Sequence, residues 1–235
     1  DRLQDAAHPV KRLRPVASGA ISPPSAAGVS ALLLAGSLVA AFLLGPAFGV
    51  AMASYIVLMA AYTILLKHLL VVDVLTISAG FVVRAVAGAV ALGVVFTNWL
   101  VVCTFFLALF LSLAKRRREL ELLDSDAARH RAVHESYSVA YLDTLILLAA
   151  GSALLSYVIY TCSDAVLERF GTDKLYLTVP FVAYGLFRYL FLVHHSLSGE
   201  DPSRTLLQDK PLIAAIALWG LSSVAVIYGR AYLGA

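Results

Sequence analysis

Residues 28–66 read GVSALLLAGSLVAAFLLGPAFGVAMASYIVLMAAYTILL, and this stretch decides the class of fold. It contains no Asp, Glu, Lys or Arg, and the glycines near position 45 divide it into two apolar runs, 28–44 and 48–66. Each run is close to the ~20 residues that an α-helix needs to cross ~30 Å of hydrocarbon. Further apolar runs of this length follow at 69–92, 97–114, 141–161, 175–194 and 211–229. The pattern predicts seven membrane-spanning helices.

The composition supports the same class of protein. Hydrophobic residues make up 60% of the chain and charged residues 14%, against roughly 45–50% and about 25% in soluble domains. A helix satisfies its own backbone hydrogen bonds in lipid, so we expect an all-α, polytopic transmembrane bundle forming a single domain over 1–235. The alternative is a soluble protein with seven buried helices. The chain opens on a polar stretch without Met, and we expect it to be a fragment of a longer protein with further helices upstream.

Basic residues collect on one side of the predicted membrane. If the helices alternate in direction, one set of loops comprises 1–27, 67–73, 115–140 and 195–210. Thirteen of the 18 Lys and Arg residues fall in that set. The positive-inside rule then makes these loops cytoplasmic. We therefore predict a multi-pass protein of the inner cell membrane whose charged loops lie on the cytoplasmic face, and we expect the protein to work at that face.

The first polar cluster lies at the start of the chain. Asp1 and Asp5 have the i,i+4 spacing that brings two side chains within ~5–6 Å at Cβ on one helix face. Paired carboxylates are oxygen ligands that suit Mg²⁺, which also bridges to substrate phosphates. Lys11, Arg12 and Arg14 follow and offer phosphate-pairing donors. The pattern is typical either of a metal–phosphate site or of a solvated helix end with ordinary surface charges.

The second polar cluster lies in the predicted loop 115–140 and the helix start after it. It mixes basic, acidic and tyrosine side chains, among them Lys115, Arg116, Arg131, Glu135, Tyr137 and Tyr141. The alternative to a substrate site is an amphipathic pair of helices stabilised by i,i+4 ion pairs.

Two arginines lie inside predicted spans. Arg84 is in the middle of its apolar run, where a charge costs several kcal/mol unless it faces a polar cavity or a partner, so a functional role is favoured. Asp73 lies eleven residues earlier, about three turns, and therefore on roughly the same face. Arg188 is close to the cytoplasmic end of its span, where a long side chain can also reach the membrane surface.

These motifs resemble the UbiA prenyltransferase superfamily. The first motif of that family is Asn-Asp-x-x-Asp-x-x-x-Asp, and Asp1 and Asp5 match its last two aspartates. The family has nine spans, which would place two upstream of this chain. The resemblance is closer to the branch that transfers 5-phosphoribose to decaprenyl phosphate, and its similar segments are 8–19, 66–68, 83–85, 115–120, 135–142, 186–189 and 209–210. The second Asp-rich motif of aromatic prenyltransferases has no counterpart in 115–140.

The resemblance implies a Mg²⁺-dependent enzyme that moves 5-phosphoribose from phosphoribosyl diphosphate to a polyprenyl phosphate, for cell-wall arabinan precursors. Its partners would be these two substrates and the membrane, without nucleic acid, and homo-oligomer formation is left open. The metal ligands would be Asp1 and Asp5. The catalytic set implied is Asp1, Asp5, Arg84, Glu135 and Tyr137. The substrate-binding set implied is Lys11, Arg12, Arg14, Lys67, Lys115, Arg116, Arg131, Tyr141 and Arg188.

Two other functions remain open from the sequence. One is a UbiA-type prenyltransferase that joins a prenyl diphosphate to an aromatic or other acceptor. The other is a transporter for an anionic solute, with Arg84 and Arg188 as binding charges. Inverted repeats with matching broken helices would favour transport, and the sequence shows no such pairing.

Overall fold

The computed structural model describes residues 11–124, 137–195 and 208–233. Within these ranges the secondary structure is helical, with short 3-10 turns at Lys11–Leu13, Leu66–His68 and Lys174–Thr178. The α-helices are α1 (Pro23–Leu44), α2 (Pro46–Ile64), α3 (Val72–Ala91), α4 (Asn98–Asp124), α5 (Val139–Thr161), α6 (Asp164–Phe170), α7 (Val179–His195) and α8 (Lys210–Leu233).

Among the described residues, seven helical segments are long and apolar enough to cross a membrane. They are α1 to α5, α8, and α7 taken together with the 3-10 turn before it, and their mean hydropathies run from 1.5 to 2.3. The prediction of seven spans is thus confirmed. The remaining α-helix, α6, has 7 residues and joins two spans.

Two of the predicted loops overlap α-helices by five residues or more. The segment 115–140 was predicted as a loop, but α4 continues without a break from Lys115 to Asp124. Its 27 residues give a rod of about 40 Å, roughly 10 Å longer than the hydrocarbon core. The predicted loop 1–27 likewise ends early, because α1 starts at Pro23. There the hydroxyl of Ser22 accepts the Ser25 N–H at 3.2 Å as an N-cap.

Successive spans pack side by side from α1 to α5, and α7 packs against both α5 and α8. Small residues allow the closest approaches, as expected for helices in lipid. A Cβ on Gly80 would lie 2.9 Å from the terminal methyl of Met59, so α2 and α3 meet at this glycine. Gly88 on the same helix makes no such close approach among the described residues, because a Cβ there would meet nothing within 4 Å.

The most buried side chains lie between α3, α4, α5, α7 and α8, and include Val74, Phe110, Leu113, Leu142, Ile146, Leu186, Tyr189 and Leu212. Several of them are near one end of the bundle. At that end α3, α5 and α8 begin, α2 and α7 finish, and α4 passes from its apolar part into Lys115. We call it the charged end, because the ion pairs described below gather there.

Candidate active site

A fully buried carboxylate stands at the centre of the charged end. Asp73 is the second residue of α3 and is 0% exposed. Its Oδ2 accepts the Nε–H of Arg116 from α4 at 2.9 Å, and its Oδ1 accepts the hydroxyl of Tyr137 at 3.0 Å. The positive end of the α3 dipole adds to this stabilisation of a negative charge. The burial of Asp73 is thus compensated by an ion pair and a second hydrogen bond, as a buried charge requires.

Arg116 uses the rest of its guanidinium inside the protein as well. One Nη donates to Glu119 at 2.7 Å, one turn further along α4, and the other to the hydroxyl of Tyr62 at 3.4 Å. Its side chain is 8% exposed. Arg116 was predicted to bind substrate; the structure places it in an internal network that joins α2, α3 and α4.

Tyr137 connects this network to the turn that precedes α3. Its hydroxyl oxygen accepts the N–H of Val71 at 2.8 Å while its proton is donated to Asp73. Val71 has φ +67°, a left-handed conformation that costs a β-branched residue on the order of 1–3 kcal/mol. Burial, above all, raises the pKa of Tyr137 to about 12, so the phenol stays protonated at neutral pH. Its ring stacks on that of Tyr141 with 6.1 Å between centroids.

A second network links α4, α5 and α7. Arg117 is buried and pairs with Asp143 of α5, and one of its Nη atoms donates to the carbonyl of Val193 at 3.3 Å. His194 lies beside them, with Nε2 3.3 Å from Asp143 and Nδ1–H donating to the carbonyl of Leu190 at 2.8 Å. The arrangement ties the end of α7 to the start of α5.

A third network joins α7 to the start of α8. Arg188 meets Asp209 with two parallel hydrogen bonds, Nε to Oδ1 at 3.2 Å and Nη2 to Oδ2 at 2.8 Å. Asp209 Oδ1 also accepts the N–H of Leu212 at 2.9 Å, which caps the first turn of α8. The hydrogen bond from Arg188 lowers the pKa of Asp209 below its usual value. Arg188 therefore holds two spans together besides any contact with a substrate.

Arg84 lies apart from these networks. It is exposed on α3, with its guanidinium carbon 4.2 Å from the centroid of the Phe81 ring and 5.4 Å from that of Tyr55. Eleven residues separate it from Asp73, about 16 Å along the helix axis. Asp73 and Arg84 therefore cannot contact the same small group, although both are on α3.

The other predicted side chains divide into three groups. Exposed in the structure are Arg12, Arg14, Lys115 and Tyr141. Lys67 is half-buried in the 3-10 turn before α3, and Lys11 begins the first 3-10 turn. The predicted residues Asp1, Asp5, Arg131 and Glu135 lie outside the described residues.

A metal site was predicted at Asp1 and Asp5, and the donor chemistry of two carboxylates suits Mg²⁺. Within 11–124, 137–195 and 208–233, no group of three or more His, Cys, Asp or Glu side chains is placed to hold a metal ion. The described part of the charged end thus supplies ion pairs and hydrogen bonds, and the predicted ligands belong to the segment before it.

Sequence reasoning did not assign site roles to the carboxylates that organise the charged end, namely Asp73, Glu119, Asp143 and Asp209. Nor did it single out Arg117 within its basic run. Asp73 carried one usable signal, because an acid at the start of an apolar span needs a partner in the bundle. The partners of Asp143 and Asp209 come from other helices, and no spacing in the sequence indicates them.

Comparison with known proteins agrees with this fold. The profile of the UbiA prenyltransferase family matches residues 1–133. A decaprenyl-phosphate phosphoribosyltransferase from Mycolicibacterium smegmatis is 31% identical over 230 residues, which cover 95% of this chain and 72% of that protein. A protein of the same name from Mycobacterium tuberculosis H37Rv is 32% identical, and the match covers 96% of this chain and 74% of that protein. Another from Corynebacterium glutamicum is also 32% identical, and the match covers 95% of this chain and 68% of that protein.

The chain belongs to the UbiA prenyltransferase family. Together with the seven candidate spans among its described residues, this makes it a multi-pass membrane protein of a transferase family. The resemblance inferred from the sequence is confirmed at the level of the family and of these relatives.

Proposed function

We propose that this protein transfers 5-phosphoribose from phosphoribosyl diphosphate to a polyprenyl phosphate and releases diphosphate. The observation that carries the proposal is the similarity to relatives named decaprenyl-phosphate phosphoribosyltransferase along 95–96% of the chain. The basic residues of the charged end support it, because both substrates are anionic. By the positive-inside rule this end would face the cytoplasm of an inner membrane. The product would serve the synthesis of cell-wall arabinan.

The reaction breaks one bond and forms one. The bond between C1 of the ribose and the diphosphate oxygen breaks, and both electrons leave with the diphosphate. An oxygen of the lipid phosphate forms the new bond to C1, which carries positive charge in the transition state. The incoming oxygen is already anionic, so a protein nucleophile is not needed. The protein's task is to place the two substrates and to stabilise the phosphate charge.

Asp1 and Asp5 would hold Mg²⁺, which would supply positive charge for the diphosphate leaving group. Among the described residues, the exposed side chains of Arg12, Arg14 and Lys115 are proposed to contact phosphates. Lys67 is proposed to act with them from the turn before α3. Lys11 and, outside the described residues, Arg131 belong to the same proposed set.

Arg116 and Arg188 occupy a different position, because each already binds a carboxylate. They would contact a substrate phosphate through N–H donors that their present partners leave available, since a guanidinium has five. Glu135, Tyr137 and Tyr141 are proposed to orient the ribose or the residues around the metal. Arg84 is proposed to contact the lipid substrate within the membrane, about 16 Å from the Asp73 network.

The test uses membranes containing the full-length protein with labelled phosphoribosyl diphosphate and polyprenyl phosphate. We expect a lipid-linked phosphoribose that requires Mg²⁺, and we expect Asp5→Asn to abolish it. A parallel reaction supplies prenyl diphosphate and an aromatic acceptor. If the prenyl diphosphate reaction gives a product and the phosphoribosyl diphosphate reaction gives none, the prenyltransferase alternative replaces the proposal. Full activity of Asp5→Asn would refute the metal role of that residue, and full activity of Arg84→Lys would refute a geometric role for Arg84.

A further inference from the structure

Three segments that carry proposed substrate groups come together around one buried carboxylate. The first is the turn 66–71, which includes Lys67. The second is the extension of α4 that carries Lys115. The third is Tyr137 together with the first turn of α5, which carries Tyr141. Hydrogen bonds reach Asp73 from the second segment at 2.9 Å and from the third at 3.0 Å, and Tyr137 receives the Val71 N–H of the first at 2.8 Å.

The geometry at Val71 indicates that this connection fixes the turn. A valine at φ +67° is strained, and such strain persists when surrounding contacts determine the conformation. The hydrogen bond from the Val71 N–H to Tyr137 is one such contact, and Asp73 in turn orients the Tyr137 hydroxyl. Loss of the Asp73 contact would therefore leave the Tyr137 hydroxyl without the acceptor that orients it, and it would weaken one of the contacts that hold the turn with Lys67.

We propose that Asp73 is a positioning residue of the transferase site. Its carboxylate does not touch substrate; it holds Arg116 and Tyr137, and through them sets the relative positions of the three segments. This inference rests on the proposed function for the identity of the reaction, and on the described contacts for the role of Asp73.

The role needs both oxygens of a carboxylate. One oxygen accepts from Arg116 and the other from Tyr137, so two donors converge on Asp73. An asparagine of the same size offers one oxygen and one NH2; with the oxygen towards Arg116, it no longer accepts the proton of the Tyr137 hydroxyl. Asp73→Asn therefore removes the charge that pairs with Arg116 and the acceptor that orients Tyr137, without changing the volume of the side chain. Tyr137→Phe is the complementary change, because it keeps the ion pair with Arg116 and removes the link to Val71.

The control is Asp143→Asn, which makes the same chemical change in the ion pair of Arg117 at the same end of the bundle. Full-length protein in lipid nanodiscs is compared by turnover per folded molecule and by amide hydrogen exchange of the peptide covering 66–71. We expect Asp73→Asn and Tyr137→Phe to lower kcat on the order of 10- to 100-fold, as small misplacements do. Exchange at 66–71 should accelerate in both variants. Asp143→Asn should change neither quantity by more than about twofold.

The double variant Asp73→Asn with Tyr137→Phe separates positioning from two independent defects. If the two residues act as one unit, its kcat lies within about twofold of that of Asp73→Asn. The inference is overturned if the losses of kcat in the two single variants multiply in the double variant. It is also overturned if exchange at 66–71 is unchanged, or if Asp143→Asn loses as much kcat as Asp73→Asn. A wild type that makes no lipid-linked phosphoribose would refute the proposed function; kcat is then measured on the prenyl-transfer substrates, and the exchange data still decide the role of Asp73.

Discussion

Removing the carboxylate of Asp143 should destabilise the protein through Arg117. The Arg117 side chain is 8% exposed and that of Asp143 is 31% exposed. Removing one partner of a fully buried ion pair costs ~3–5 kcal/mol. Water can reach Asp143, and Arg117 keeps the carbonyl of Val193 as an acceptor, so we expect about half of this for Asp143→Ala, ~2 kcal/mol. At ~2–4 °C per kcal/mol for a chain of this size, the Tm should fall by about 4–8 °C.

The measurement is thermal unfolding of full-length protein in lipid nanodiscs, followed by intrinsic fluorescence. Glu168→Ala is the control, because Glu168 is exposed on α6 and its loss should change stability by less than about 0.5 kcal/mol. The double variant Asp143→Ala with Arg117→Met removes both charges and should recover at least half of the lost Tm, since an apolar replacement avoids a buried charge. A double variant less stable than Asp143→Ala, or a single variant as stable as the control, would refute this reasoning.

Two further predictions concern the contacts of α8. The hydrogen bond from Arg188 lowers the pKa of Asp209, so the stability that this group contributes is present above its usual pKa of 3.8 and is lost as the pH falls through the lower folded value. The Tm of wild type should therefore be higher than that of Asp209→Asn at pH 7. Below about pH 4 this difference in Tm should shrink. A difference that is the same at every pH would contradict the stabilising role given to the Arg188–Asp209 contact. Tyr157→Phe should cost about 1–2 kcal/mol in the same unfolding assay, because its hydroxyl accepts the Trp219 Nε1–H at 2.8 Å and meets Thr178 at 2.6 Å. A Tm equal to wild type would show that neither bond contributes.

The spans were predictable because each is a long apolar run in the sequence. The run 141–161 became Val139–Thr161, and the run 48–66 became Pro46–Ile64. The error at α4 has a simple cause. Hydropathy falls at Lys115, but Lys, Arg, Glu and Leu are good helix formers, so the helix continues after its apolar part has ended. Hydropathy reports where the membrane segment stops and does not report where the helix stops.

The sequence named Arg116 and Tyr137 as candidate site residues, and their site roles stay predictions. The structure adds a contact that the sequence did not indicate, because both side chains donate to Asp73. Their common partner Asp73 is 43 residues from Arg116 in the chain, and the contact depends on how α3 and α4 are rotated against each other. Helix periodicity relates Asp73 to Arg84 on roughly one face, but it gives no information about a neighbouring helix. The partner of Asp73 is therefore set by the way α3 and α4 pack side by side.

In the run from Lys115 to Arg118, the sequence shows more cations than the structure leaves available to a substrate. Successive residues point about 100° apart around a helix. Lys115 is exposed, Arg116 turns towards Asp73 on α3, and Arg117 turns towards Asp143 on α5. Two of these cations are thus neutralised by acids of other helices, and their charge serves to join the spans. Under the proposed function, an anionic substrate at the charged end would meet Lys115 directly, and it would reach Arg116 only through the N–H donors that Asp73, Glu119 and Tyr62 leave available.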